Sequence, residues 1–119
     1  MKKVNVLGTE YTIKIVKISE CESLEKNHWC GSANKITKEI LIGDANEEKY
    51  FGEMDDKEKE IVTKQIMRHE ITHAFFYESG LQESSLNYSN GWADNEEMID
   101  WIAIQFPKML KAFQEVGCL

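Results

Sequence analysis

Residues 55–80, DDKEKEIVTKQIMRHEITHAFFYESG, decide how this chain folds. Asp55 followed three residues later by Glu58 forms a capping box, in which each side chain satisfies a free backbone N–H of the other's segment. No proline interrupts the run, and Gly80 is placed to end it, so the spacing predicts one helix from Asp55 to about Ser79. On a 100° wheel Val62, Ile66, His69, His73, Phe76 and Tyr77 fall within one stripe, while Met67, Ile71, Ala74 and Phe75 occupy much of the other side. A helix apolar on nearly all sides is expected to be buried, and two histidines on its inner face then need partners.

Upstream of this helix the pattern changes from period 3.6 to period two. Val4 and Val6, then Gly8-Thr9, then Tyr11, Ile13 and Ile15 predict a hairpin turning at Gly8-Thr9. Residues 19–27 are polar and suit a loop or a short helical turn. His28 to Gly31 and Lys38 to Ile42 read as a second strand pair around a polar turn at Ser32 to Lys35, and Asp44 to Met54 is acidic and turn-like. Downstream, a long loop, LQESSLNYSNGW, separates the helix from a second one running from near Asp94 towards Val116-Gly117, with a kink expected at Pro107. The expected fold is α+β: a small antiparallel or mixed sheet of three to four strands from the N-terminal third, packed on a buried helix and a second C-terminal helix.

At 119 residues the chain has the size of one domain, taken here as 1–119, long enough to bury a core without disulfides. Fourteen basic against twenty-one acidic residues give a net charge of −7, which argues against nucleic acid and anionic membranes as partners. No apolar block resembles a signal peptide or a membrane span, so a cytoplasmic location is expected. Cys21, Cys30 and Cys118 have no paired spacing and are expected to be reduced.

Within the long helix His69-Glu70-Ile71-Thr72-His73 is an HExxH sequence. Histidines four apart stand one turn above each other on one face, close enough for both rings to reach a single ion. Glu70 is rotated one step from His69, beside such an ion, where it can act as a general base on an activated water. Two imidazoles and a carboxylate with an open fourth position suit one zinc ion. The alternative is a pair of hydrogen-bonded core histidines without a metal.

The second helix offers the third ligand. Its apolar stripe is Ile99, Ile102, Ala103, Phe106, Leu110 and Phe113; Glu96 lies at the edge of that stripe and Asp100 one turn further on the same face. Glu96 is the geometric choice, with Glu97 and Asp94 as the alternatives. Asp100 can accept a ring N–H from a ligand histidine and fix its tautomer. His28 reads as structural or exposed.

HExxH followed after a loop by NExxxD on a second helix resembles the gluzincin metallopeptidases. The likeness covers residues 69–100, and the small size is similar to the minimal zincins carried by phages and integrative elements, related in plan to the ImmA/IrrE peptidases. The resemblance implies zinc held by His69, His73 and Glu96, Glu70 as general base, Asp100 supporting a ligand histidine, and a protein or peptide substrate met in a bacterial host's cytosol. It also implies that the strand before the active helix, here Glu39, Ile40, Leu41 and Ile42, is a sheet edge along which an extended peptide binds by strand addition. Tyr88 and Tyr77 are the candidates for an oxyanion-stabilising group. Two rivals to a peptidase are a non-catalytic zinc-containing binding module of a phage or mobile element, and a metal-free interaction protein. Substrate and oligomeric state are not legible in the sequence.

Overall fold

Period-two patterning becomes a hairpin: β1 (Lys2–Val6) and β2 (Thr9–Val16) pair antiparallel, with Val6 opposite Thr9. The computed structural model describes residues 1–85 and 91–119. The turn is Leu7-Gly8, one residue earlier than expected. Both residues have positive φ (50° and 93°), as a type I′ loop requires, and Asn5 Oδ1 accepts the Gly8 N–H at 2.9 Å; Thr9 stays extended to pair with Val6.

Residues 18–27 form a 3₁₀ turn (Ile18–Glu20) and helix α1 (Glu22–Asn27), which His28 closes in the left-handed conformation. That cap occupies the start of the strand expected at His28 to Gly31. The strand is instead β3 (Gly31–Asn34), and the turn falls at residues 35–38, where Asn34 Oδ1 accepts from the backbone N–H groups of Ile36 and Thr37. β4 (Glu39–Gly43) follows where Ile40-Leu41-Ile42 predicted it.

The sheet is mixed and four-stranded, in the order β1-β2-β4-β3. β4 runs parallel to β2, with Ile13 opposite Ile40, and antiparallel to β3, with Gly31 opposite Ile42. Glu39 to Ile42 is therefore a central strand, correcting the expectation that it forms the edge. Ile40 and Ile42 are fully buried, as suits an interior strand, whereas Gly-Ser-Ala-Asn of β3 has little apolar surface to protect and lies at the rim.

After a short helix α2 (Glu48–Phe51) comes α3 (Asp56–Glu78). Its capping box is formed: Asp55 Oδ1 accepts from Glu58 N–H at 2.8 Å and Glu58 Oε1 from Asp55 N–H at 3.2 Å. Gly80 follows the last turn at φ 83°. α3 lies on the sheet over a core of Val6, Tyr11, Ile13, Ile40, Ile42 and Ala74, flanked by Ile66, Met67 and Ile71. Burial all round is not met. Only Glu70, His73 and Ala74 of α3 are buried, and Ile61 and Phe75 face solvent, because one sheet covers one side only.

Helix α4 (Leu81–Ser85) takes the first five residues of the expected inter-helix loop. A 3₁₀ turn (Trp92–Asp94) leads to α5 (Glu96–Glu115), capped by Asn95 Oδ1 accepting the Met98 N–H at 2.8 Å. α5 continues through Pro107. Proline has no N–H to give the carbonyl four residues earlier, which is that of Ala103, and Arg68 Nε donates to this oxygen at 2.6 Å. The missing bond within α5 thus becomes a bond between α5 and α3. Ile99 and Ala103 are buried against α3, but Phe106 and Phe113 of the predicted stripe are exposed. Among the described residues there are five α-helices, two of them long and C-terminal, and no helix is long and apolar enough to cross a membrane.

Candidate metal centre

α3 and α5 run antiparallel, so His73 and His69 on one face Glu96 and Asp100 on the other. The two imidazole Nε2 atoms are 3.2 Å apart. Glu96 spans them, with Oε2 3.0 Å from His69 Nε2 and Oε1 3.1 Å from His73 Nε2. Asp100 Oδ1 stands 2.7 Å from His69 Nδ1. Local sequence explains the register: Asn95 starts α5 immediately before Glu96, and the Arg68–Ala103 bond ties the next turns together.

The donor set fits a divalent cation. Two ligand atoms each about 2.0–2.1 Å from a tetrahedral ion lie about 3.3–3.4 Å from one another. The 3.2 Å between the two nitrogens is close to one edge of such a polyhedron, and Glu96 reaches the two rings with separate oxygens at 3.0 and 3.1 Å. Asp100, beside His69 Nδ1, is placed to accept that ring's N–H, the tautomer that leaves the Nε2 lone pair facing the other donors. Two ring nitrogens and a carboxylate thus face one another, an arrangement that could accept a cation.

Glu70 belongs to the same cluster, its carboxylate and the two ring nitrogens lying within 4.8 Å of one another. Its Oε1 is 3.9 Å from His69 Nε2, longer than a coordination edge. The side chain is buried. Burial first, then the negative charges of Glu96 and Asp100, push its pKa up to about 8. Burial likewise lowers the pKa of His73, whose Nδ1 is enclosed without a hydrogen-bond partner among the described residues. Tyr77, one turn beyond, stacks on His73 with ring centroids 6.1 Å apart, and its phenol is raised to about 12, chiefly by burial.

These groups open on a cleft of about 570 Å³ whose opposite wall is the run from His28 to Ala33. Gly31 lets the wall approach: a Cβ there would meet Ile66 Cγ2 at 2.9 Å, Leu41 O at 3.0 Å and Glu70 Cγ at 3.1 Å. His69, Glu70, His73, Glu96 and Asp100 are brought together. Asp94 also lines the cleft, while Glu97 does not. Tyr77 lines it, Tyr88 lies outside the described residues, and Glu39 to Ile42 do not border it, the strand at the cleft being β3. Trp29, Gly31, Ser32 and Gln65 are lining residues that sequence reasoning missed. A lone glycine in a strand segment, which often marks close backbone approach, was the one available signal. Compared with protein-family models, curated proteins and solved structures, the chain matches none.

Proposed function

We propose that the protein is a zinc-dependent peptide hydrolase in which His69, His73 and Glu96 hold the ion. The observation that carries this reading is the pair of imidazole nitrogens 3.2 Å apart with the Glu96 carboxylate spanning them, a buried carboxyl beside them and a cleft in front. The cleft favours an open, catalytic site over a structural one closed by a fourth ligand. When bound, zinc supplies Lewis acidity to the scissile carbonyl and to water.

Glu70 takes a proton from the attacking water and returns it to the departing amine. In the bare cluster burial and the neighbouring carboxylates raise its pKa to about 8, and positive charge beside it would lower that value and favour the ionised form that proton transfer needs. Asp100 holds the tautomer of His69 that directs Nε2 inward. The open side of β3, beside the cleft, accepts an extended peptide by strand addition, in the role that the likeness to minimal gluzincins assigned to an edge strand.

The test is Glu70→Gln. The variant should keep one equivalent of zinc and lose about 10²–10⁴-fold in hydrolysis of a mixed peptide library. Undiminished cleavage by the variant, or less than about half an equivalent of zinc in the parent protein, overturns the proposal.

A further inference from the structure

Beyond the metal cleft the groove along β3 continues into a second pocket of about 360 Å³. The two share Trp29, Ser32, Ala33 and Tyr77, so they are successive chambers of one groove. Gly31, at the metal end, and Asn34, in the second pocket, are three residues apart, or about 10 Å of extended chain. A peptide lying along β3 with its scissile bond at the metal therefore presents a side chain two or three residues away to this pocket.

Trp29 and Tyr77 form aromatic walls and Ile36 an apolar rim; Trp29 is half exposed and Ile36 is 83% exposed. The far end is polar but neutralised: Lys35 Nζ donates to Gln82 Oε1 at 3.2 Å and to Glu83 Oε1 at 2.5 Å. Among the described residues the cation at that end, Lys35, is paired to a carboxylate, so the pocket has apolar surface to offer and no unpaired charge for an ionised side chain to match.

We propose that this second pocket is a selectivity pocket for a large uncharged side chain, aromatic or branched aliphatic, of an extended peptide. It rests on the reading of the metal cleft as a peptide site. The pair Lys35–Glu83 acts as a charge lock: removing Glu83 frees Lys35 and should redirect the pocket towards acidic side chains.

Blocked alanine hexapeptides carrying a single Phe, Leu, Asp or Lys, moved through the six positions, should be titrated into the zinc-loaded Glu70→Gln protein and followed by NMR shift changes. At one position Phe or Leu should bind at least tenfold tighter than Ala, Asp or Lys. Trp29→Ala and Ile36→Asp, both at exposed positions, should each reduce that preference to below about threefold. Glu83→Gln should raise the affinity for Asp at the same position severalfold without changing the amount of zinc bound. No binding, affinities equal within twofold at every position, or a preference untouched by all three substitutions overturns the pocket. Positional preference in a protein whose parent form cleaves none of the peptides keeps the pocket and removes the peptidase reading; cleavage without preference does the reverse.

Discussion

Two glutamates eight residues apart on α3 are perturbed in opposite directions. Glu78 accepts from Tyr11 Oη at 2.7 Å and Lys38 Nζ at 2.8 Å, and these bonds, with one from Thr9, hold its pKa down to about 2. Glu70 is buried beside Glu96 and Asp100, and its pKa rises to about 8. At the first cluster every charge finds its complement within the chain, and the result pins the C-terminal turn of α3 to β2 and to the turn before β4. At the second, carboxylates and imidazoles converge, and among the described residues no lysine or arginine is paired with them. A cluster built for stability resembles the first; the second is one that could hold a metal ion.

The largest effect should come from supplying that cation. Zinc at about a thousandfold its dissociation constant stabilises by about 4 kcal/mol, which corresponds to a rise in Tm of about 10–20 °C for a domain of this size. The same addition should leave His73→Ala unmoved, measured by thermal unfolding. An equal rise in both proteins would remove the distinction between the clusters.

The next effect is pH dependence without metal. Glu70 has a folded-state pKa of about 8 against an ordinary 4.5, so the folded protein holds a proton that the unfolded chain releases earlier. The stability this group contributes is full below pH 4.5, falls as pH rises towards 8, and is lost above it. Glu70→Gln should therefore be more stable than the parent protein by roughly 4–5 kcal/mol at pH 9, with chelator present, and the advantage should shrink to near zero at pH 4.5. Urea unfolding at the two pH values measures it, and a pH-independent difference would show that Glu70 does not titrate in this way.

Asp100→Asn preserves shape while weakening the acceptor on His69 Nδ1. Zinc affinity should fall about 10–100-fold, read by competition with a chelating dye, with unfolding of the metal-free protein little changed. At the self-satisfied cluster, Glu78→Gln should lower stability by about 1–2 kcal/mol at pH 7, discounted for the partly exposed Lys38. Its sign is opposite to that of Glu70: the contribution is present above pH 4.5 and lost as pH falls through about 2. Zinc affinity should be unaffected, and a joint loss of both would couple the two ends of the helix.

Legibility in the sequence followed how local each signal was. The capping box at Asp55 and Glu58, the end of α3 at Gly80, the strand at Ile40 to Ile42 and the two helix faces bearing His69, His73, Glu96 and Asp100 all depend on spacing within a turn or two, and each appears where the residues placed it. β3 was displaced by three residues because Gly-Ser-Ala-Asn has no apolar alternation and because His28 adopts a left-handed cap unusual for a side chain of its size. Strand order was out of reach for a different reason: a parallel pairing of β2 with β4 depends on contacts between segments some 27 residues apart in register, such as Ile13 and Ile40, and no local pattern encodes which neighbour wins. The wall from Trp29 to Ala33 was missed with it, since it meets α3 only once β3 becomes the edge.

Pro107 gives α5 an index mark. An uninterrupted helix presents no single carbonyl that a neighbour can single out, and sliding it by one turn against α3 would exchange one row of contacts for a similar row. The oxygen left over at Ala103 stands alone in the body of the rod, away from its C-terminal turn, and Arg68 sits next to His69, so latching the guanidinium onto that oxygen counts off the residues back to Asp100 and Glu96. A proline four residues beyond its target carbonyl thus works as a ruler: it fixes which carboxylates arrive opposite which imidazoles, from the far side of the helix turn and without approaching the cleft itself.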